Sequence, residues 1–96
     1  RANLSYTDLS YTNLEGADLE GADLRNADLS NANLDYSCLP LWCGSLGVKV
    51  DNKIVYQLLY HVCSLDCDSD EFKEIKDKIK IYANKFHRVE ECGEIK

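Results

Sequence analysis

Several signatures of membrane proteins and common enzymes are missing from this 96-residue chain. It has no methionine and one proline, and no apolar run approaches the roughly eighteen residues that a membrane-spanning helix needs. No phosphate-binding loop, nucleophile elbow or helical HExxH motif occurs. The sequence therefore lacks the usual signals of nucleotide hydrolases, serine hydrolases and zinc proteases. No secretory signal is present either, and we expect a cytoplasmic protein with no membrane partner.

Positive charge is scarce in the first part of the chain. Residues 1–40 hold seven acidic and two basic side chains, whereas residues 41–96 hold ten and nine, so most of the net charge of −6 lies in the first part. A protein that neutralises nucleic-acid phosphates needs a basic face, and direct nucleic-acid binding is therefore disfavoured. Two interpretations stay open: a solvated surface that keeps the chain soluble, or an acidic face that meets a basic protein partner.

Leucine returns every five residues from Leu4 to Leu39, a spacing that no regular secondary structure has. Five helical residues turn a side chain by roughly 140°, and an odd spacing in a strand sends successive side chains to opposite faces. The spacing fits a backbone that turns a corner once in every five residues. Four such sides close a coil, so each residue stacks on the residue about twenty positions later, at strand spacing. We expect all eight leucines to be buried, Asn13 to stack on Asn33, and Asp8 to stack on Asp28.

Each unit reads small residue, Asp or Asn, Leu, and then two variable residues, and eight units follow one another over residues 2–41. This pattern resembles the pentapeptide-repeat family. The resemblance implies a β-solenoid, namely a right-handed quadrilateral β-helix. Cys38 departs from the pattern, because it stands where Asp or Asn is typical. Arg1 occupies the last position of a preceding unit, so we expect the chain to be a fragment with further repeats upstream.

The sequence predicts two domains. The repeat domain covers residues 1–41, and the repeat pattern within it is expected to end at Pro40. Residues 42–96 hold a transition loop and an α-helical hairpin. The stretch LWCGSLGVKV is expected to turn the chain over the end of the coil. The helices are expected to cap that end and to pack around Leu39, Leu41 and Trp42, because an uncovered solenoid exposes strand edges and apolar interior to water.

The two predicted helices have recognisable starts. The first should begin after Asp51 and end near Ser64, and the second should begin at Asp68 with Glu71 completing a capping box. The tail after Arg88 should be irregular. Apolar residues at helical spacing predict one buried stripe in each helix: Ile54, Val55, Leu58, Leu59 and Val62 in the first, and Phe72, Ile75, Ile79, Tyr82 and Phe86 in the second.

Five cysteines, an odd number without a secretory signal, favour reduced thiols over a disulfide framework. A metal site built from Cys43, His61, Cys67 and Cys92 is an alternative if the loops converge, although the spacings are not those of zinc knuckles. A catalytic Cys43 would need a nearby base, which the sequence does not indicate. The simpler interpretation is a set of small buried thiols, with no cofactor and no catalytic residue.

The candidate binding residues fall into two groups. One group is acidic and lies on two adjacent sides of the predicted coil: Glu15, Asp18, Glu20 and Asp35. The other is the pair Tyr56 and Tyr60, which share one flank of the first helix. Exposed aromatics beside acidic sides can form a protein-binding face, and packing against neighbouring residues is the alternative. Three further tyrosines fall at corners of the coil: Tyr6, Tyr11 and Tyr36.

The sequence therefore predicts a non-enzymatic, rigid interaction module that engages an unknown protein partner through its acidic sides or its helical cap. The family resemblance implies an alternative, because some pentapeptide-repeat proteins resemble duplex DNA, bind topoisomerases such as gyrase, and dimerise through C-terminal helices. By that resemblance the chain would be a DNA-mimic inhibitor of a bacterial or phage nucleic-acid enzyme, and a homodimer through its cap. Two coils give only about 10 Å of rod, however, so mimicry would need more repeats. A metal- or thiol-dependent activity in the cap is the third alternative.

Overall fold

The computed structural model describes residues 2–39 and 43–96. Its contacts divide the chain into two compact units, Arg1–Asp51 and Asn52–Lys96. We call them the coil unit and the helical unit. The division lies later in the chain than the predicted boundary between residues 41 and 42, because residues 43–51 are bonded to the coils.

Residues of the coil unit stack on residues twenty positions later. The Leu4 N–H donates to the Asp23 carbonyl at 2.8 Å, and the Asp23 N–H donates to the Ala2 carbonyl at 3.0 Å. The same pairing recurs on every side, and the predicted coil repeat is confirmed. The contacts are single-residue parallel bridges and not continuous strands within the described residues: Asn3 to Asp23, Asp8 to Asp28, Asn13 to Asn33, and Asp18 to Cys38.

From Leu4 to Leu34, a corner follows each leucine of the repeats by two residues, as the spacing predicts. The N–H three residues after the leucine closes a four-residue turn, as from Ala17 to the Leu14 carbonyl at 2.9 Å. The residue between them, Gly16, has φ of 71°. A positive φ at the third position of a turn favours glycine and asparagine, which accounts for most corner residues. The positive-φ corners recur at Tyr6, Tyr11, Gly16, Gly21, Asn26, Asn31 and Tyr36.

The leucines point into the coils, but they are not equally buried. The four in the middle of the series are at most 8% exposed: Leu19, Leu24, Leu29 and Leu34. The alanines beside them, from Ala22 to Ala32, are buried as well. Leu4, Leu9, Leu14 and Leu39 are half-buried, so the prediction of full burial is wrong for these four. For the first three the reason is position, because the first described coil has a neighbouring coil on one side only.

Residues 43–50 continue the coils, which corrects the predicted transition over the coil end. A short 3-10 helix, Cys43–Ser45, is followed by pairing of Lys49 with the second coil: its N–H donates to the Ala27 carbonyl at 2.8 Å, and its carbonyl accepts from Leu29 at 2.7 Å. The bridge from Asp28 to Lys49 spans twenty-one positions, so one residue has been added relative to the repeat. The segment Val48-Lys49-Val50 therefore takes the place of a further repeat unit.

The helical unit contains three helices: α1 (Asn52–Cys63), α2 (Asp70–Ala83) and α3 (Val89–Cys92). The two predicted helices are confirmed, and the tail that was predicted to be irregular contains α3. The start of α2 needs a correction, because Ser69 and not Asp68 caps it. The Phe72 N–H donates to Ser69 Oγ at 3.0 Å, so the hydroxyl satisfies one of the amides that a helix start leaves without a partner.

The core of the helical unit lies where α1 packs against α2, with the segment after α2 beside it. Tyr60, Cys63, Ala83 and Phe86 are buried there, and the Tyr60 and Phe86 rings lie 4.7 Å apart between centroids. Four partly buried residues complete the cluster: Leu59, Ile79, Val89 and Ile95.

The predicted stripes are therefore only partly correct. Five of their members are exposed, by 37 to 50%: Val55, Leu58, Val62, Ile75 and Tyr82. The physical reason is that α1 carries apolar side chains around most of its circumference, so helical spacing alone does not select the face that meets α2. The residues actually buried on α1 are Ile54, Gln57, Tyr60 and Cys63, which follow one another in steps of three.

Some expectations about the fold stay predictions. The repeat end at Pro40 and the packing of Leu41 and Trp42 lie outside the described residues. Capping of the coil end by the helices also stays a prediction. Within residues 2–39 and 43–96, no helix is both long enough and apolar enough to cross a bilayer.

Candidate interaction surfaces

The Asp or Asn of each repeat has a local structural task. Its side chain accepts the backbone N–H of the residue two positions later, as in Asp18, whose Oδ1 accepts from Glu20 at 3.0 Å. This Asx turn holds the backbone at the approach to the corner. A short acceptor side chain before every corner is a readable signal of this role, which was not predicted from the sequence. The other acceptors are Asn3, Asp8, Asn13, Asp23, Asp28 and Asn33.

One side of the coil carries an acidic group that is paired with arginine. Arg25 Nε donates to Asp23 Oδ1 at 3.0 Å, and its Nη2 donates to Oδ2 at 2.7 Å. These hydrogen bonds, with that from the Arg25 N–H, hold the pKa of Asp23 below its ordinary value. Arg25 is half-exposed, so the pair contributes little to stability, but it neutralises the local negative charge.

The next side carries two acidic groups and a lysine in register. The bridges place Asp8, Asp28 and Lys49 at the same position of successive coils. The pKa of Asp8 is lowered chiefly by the Ser10 hydroxyl and N–H, and that of Asp28 by the Ser30 N–H and hydroxyl. The positive charge of Lys49 lowers both further. The predicted stacking of Asp8 on Asp28 is confirmed, and Lys49, which the sequence analysis did not assign to the coils, offsets their repulsion.

Two adjacent sides hold the acidic residues that were predicted to bind, and we call them the acidic face: Glu15, Asp18, Glu20 and Asp35. The Gly16 N–H donates to the Asp35 carbonyl at 2.8 Å, so Glu15 and Asp35 lie on the same side, and Asp18 and Glu20 follow on the next. Glu15, Asp18 and Glu20 are exposed and Asp35 is half-buried. Across the described residues, no lysine, arginine or histidine forms an ion pair with Glu15, Asp18 or Glu20.

The corner tyrosines project into solvent. Tyr6 and Tyr11 are 79% exposed and Tyr36 is 72% exposed, and for Tyr6 and Tyr11 the alternative of packing against neighbouring corners is wrong. All three have φ close to 60°, a conformation that is costly for bulky side chains. Gly16 and Asn26 show that smaller residues serve at the same kind of corner. The aromatic rings are therefore not needed to build the coils.

The two tyrosines predicted to bind on α1 behave differently. Tyr60 is 7% exposed, and its hydroxyl donates to the Gly93 carbonyl at 2.6 Å, so the prediction of a surface position is wrong. It belongs to the core because residues beyond α2, which were expected to be irregular, cover it. Tyr56 is half-buried, and the Lys85 ammonium lies 5.6 Å from the centres of both the Tyr56 and Tyr82 rings, within cation–π range.

All five cysteines are free thiols. Cys63 is buried, and burial raises its pKa, whereas a hydrogen bond with Ser69 lowers the pKa of the exposed Cys67. Cys38, Cys43 and Cys92 are exposed, which corrects the expectation of small buried thiols for all but Cys63. Over residues 2–39 and 43–96, no three His, Cys, Asp or Glu side chains are grouped so that they could hold a metal ion, and this includes the set Cys43, His61, Cys67 and Cys92.

Lys49 is the residue of the surface that the sequence analysis missed. The sequence did contain a signal that Lys49 belongs to the coils, because Val48-Lys49-Val50 has the same apolar–polar–apolar order as Ala27-Asp28-Leu29. Valine in place of alanine and leucine, and the one-residue shift in spacing, hid it from a search for five-residue units. With Lys49 in place, two sides of the coil unit each carry one cation: Arg25 beside Asp23, and Lys49 in register with Asp8 and Asp28.

The comparisons with known proteins agree with the repeat register. Residues 1–39 match the family model for pentapeptide repeats in eight copies. The resemblance seen in the sequence is therefore shown for this part of the chain. A search of curated proteins finds no match to the chain.

Proposed function

Starting from eight pentapeptide repeats, we propose that the chain is a non-enzymatic protein-interaction module of the cytoplasm, built on a right-handed, four-sided β-helix. Its acidic face, formed by Glu15, Asp18, Glu20 and Asp35, binds a basic surface of a protein partner. The ladder of backbone hydrogen bonds between coils supports a rigid platform, since each side is bonded to the next coil at 2.7 to 3.2 Å.

The observation that carries the proposal is the uneven compensation of charge. Asp23 forms an ion pair with Arg25, and the positive charge of Lys49 lowers the pKa of Asp8 and Asp28. Glu15, Asp18 and Glu20 form no ion pair among the described residues. Unbalanced carboxylates on a rigid surface attract a complementary basic partner and speed the encounter.

A topoisomerase or another nucleic-acid enzyme is one kind of basic partner, and the sign of the acidic face fits it. Duplex DNA distinguishes this alternative from other basic partners. If the partner uses a DNA-binding surface, added duplex DNA should compete with the chain for it; if it does not, DNA should leave the complex intact.

The test is association with a partner recovered by pull-down on the intact chain. Glu15→Gln with Glu20→Gln should slow association by about tenfold at low salt and by much less at high salt, because steering by charge is screened. Both side chains are exposed and accept none of the hydrogen bonds of the Asx turns, so the fold should be unchanged.

The matched control is Asp66→Asn with Asp68→Asn, which removes the same charge from the exposed segment between α1 and α2. This variant should associate at nearly the rate of the parent. Equal slowing by the two double variants would show that only net charge matters, and it would overturn the acidic face as the binding site.

A further inference from the structure

The segment after α3 is held against the helical unit by contacts to its backbone. The Tyr60 hydroxyl donates to the Gly93 carbonyl at 2.6 Å. Asn84 Nδ2 donates to the Ile95 carbonyl at 3.0 Å, and the Ile95 N–H donates to Asn84 Oδ1 at 2.7 Å. We call residues 93–95 the strap.

One side chain of the strap adds an apolar contact. Ile95 packs against the buried cluster that contains Tyr60 and Phe86, while Glu94 before it is exposed. Alternation of an outward and an inward side chain, with backbone groups bonded on the way, is how an extended peptide is recognised on a protein surface. The side-chain amide of Asn84 forms hydrogen bonds with both the N–H and the carbonyl of Ile95. These two bonds do not depend on the side chain at position 95.

Three hydrogen bonds to side chains and the packing of Ile95 join the strap to the rest of the unit. Gly93, the first residue of the strap, has φ of 102°, a conformation that glycine adopts without strain, and it directly follows the short helix α3. A segment outside the helices that packs a single, half-buried apolar side chain opens at a lower free energy than the helices beside it. When the strap opens, the polar atoms of Tyr60 and Asn84 and the apolar surface around Phe86 are left for another segment.

The geometry points to a peptide-docking site formed by Tyr60, Asn84 and Phe86, which the protein's own strap occupies in competition with a partner. The ligand is an extended peptide with a glycine carbonyl, one outward residue, and then a branched apolar residue. The inference rests on the proposed interaction role, but it concerns the helical unit alone. Peptide docking can fail while charge-steered binding to the acidic face succeeds, and the reverse also holds.

A peptide with the sequence of residues 89–96 tests the site directly. It carries Cys92→Ser to prevent disulfide formation and a fluorophore for anisotropy measurements. The full chain with Ile95→Asp should bind this peptide at least about tenfold more tightly than the parent chain, because the parent's strap competes at an effective concentration near the millimolar range. The same peptide with Ile95→Asp is the control ligand, and it should not bind.

A second substitution identifies the backbone contact. Asn84→Ala in the Ile95→Asp chain should weaken peptide binding by about tenfold, since it removes both hydrogen bonds to the backbone of one residue. Equal binding of the peptide by the parent and the Ile95→Asp chain, binding by neither, or no effect of Asn84→Ala would overturn the site.

Amide hydrogen exchange on the unmodified chain covers the case in which Ile95→Asp lowers the helix content. The Ile95 N–H should exchange faster than the amides in the middle of α1, because the strap opens while the helices stay folded. Exchange of Ile95 at the same rate as those amides would show that the strap opens only with global unfolding, and the proposal would then be wrong.

Discussion

The coil unit and the helical unit are similar in length, but their sequences constrain their structures to different degrees. In the coil unit a leucine every five residues leaves one arrangement, and the pairs Asn13–Asn33 and Asp8–Asp28 form as predicted. In the helical unit the helices are where they were predicted, but Val55 and Leu58 are exposed and Tyr60 is buried. In the repeats, each position of the unit recurs many times, so the pattern shows clearly which side chains are buried. In a short helix with apolar side chains on all faces, no such recurrence shows which face is buried.

The difference extends to what holds each unit together. The coils are joined by regular backbone hydrogen bonds and by one leucine layer per side. The helical unit depends on a few large side chains, above all Tyr60 and Phe86, and on the strap that follows them. The effect of a substitution should therefore depend on its position. In the coil unit the repeat register predicts which positions are sensitive, whereas in the helical unit only the structure does.

The largest expected effect is in the coil interior. Leu24→Ala should lower the free energy of unfolding by about 2–5 kcal/mol, because Leu24 is fully buried and the bonded coils cannot collapse into the cavity. Urea denaturation of the two proteins measures the difference.

The comparison is sharpened by Leu58→Ala on α1. The sequence predicts burial of both leucines, but Leu58 is 41% exposed, so its removal should cost far less than that of Leu24. Equal losses for the two variants would break the distinction between the units.

A smaller effect is expected at the start of α2. Ser69→Ala should destabilise the helical unit by about 1 kcal/mol, because the Phe72 N–H loses its side-chain acceptor. Asp68→Ala, one residue earlier, is the control and should change stability by much less. Thermal unfolding followed by helical circular dichroism compares the two, and a larger effect of Asp68→Ala would restore the cap predicted from sequence.

Acid should weaken the coil unit through its aspartates. The pKa values of Asp8, Asp23 and Asp28 are all below their ordinary value of 3.8 in the folded chain. Their stabilising contribution is therefore complete above the unfolded value and is lost as pH falls through the lower folded values. Asp28→Asn keeps an acceptor for the Ser30 N–H but does not titrate, so its melting temperature should fall less than that of the parent between about pH 5 and pH 2. Parallel loss in both proteins would contradict this.

The smallest effect concerns a corner. Tyr11→Asn should leave stability unchanged or raise it by up to about 1 kcal/mol, because asparagine adopts a positive φ more readily than tyrosine. The comparison is with Asn31, which lies in register with Tyr11 and shows that no ring is needed there. A clear loss of stability on thermal unfolding would mean that the ring makes contacts that its 79% exposure does not suggest.

Sequence reasoning recovered the coil register, the inward leucines, the corners and the positions of α1 and α2. It failed where a local pattern was compatible with two outcomes: Ser69 and Asp68 are both good capping residues, and α1 is apolar on several faces. It also failed where the pattern was broken, since an added residue hid Lys49, and the tail that covers Tyr60 has no periodic signal. The placement of Glu15, Asp18 and Glu20 on two adjacent sides was predicted from the sequence. That no cation pairs with them among the described residues was not predicted, because it depends on where Arg25 and Lys49 lie in three dimensions.

The uneven compensation of charge around the coils is tested most directly by titrating the isotope-labelled chain with an arginine-rich peptide and following backbone amide shifts by NMR. The shifts should be largest at Glu15, Asp18 and Glu20, should be small at Asp8, Asp23 and Asp28, and should fade as salt is added. Shifts of equal size around all four sides of the coil, or largest at Asp8 and Asp28, would contradict the assignment of the acidic face as the binding surface.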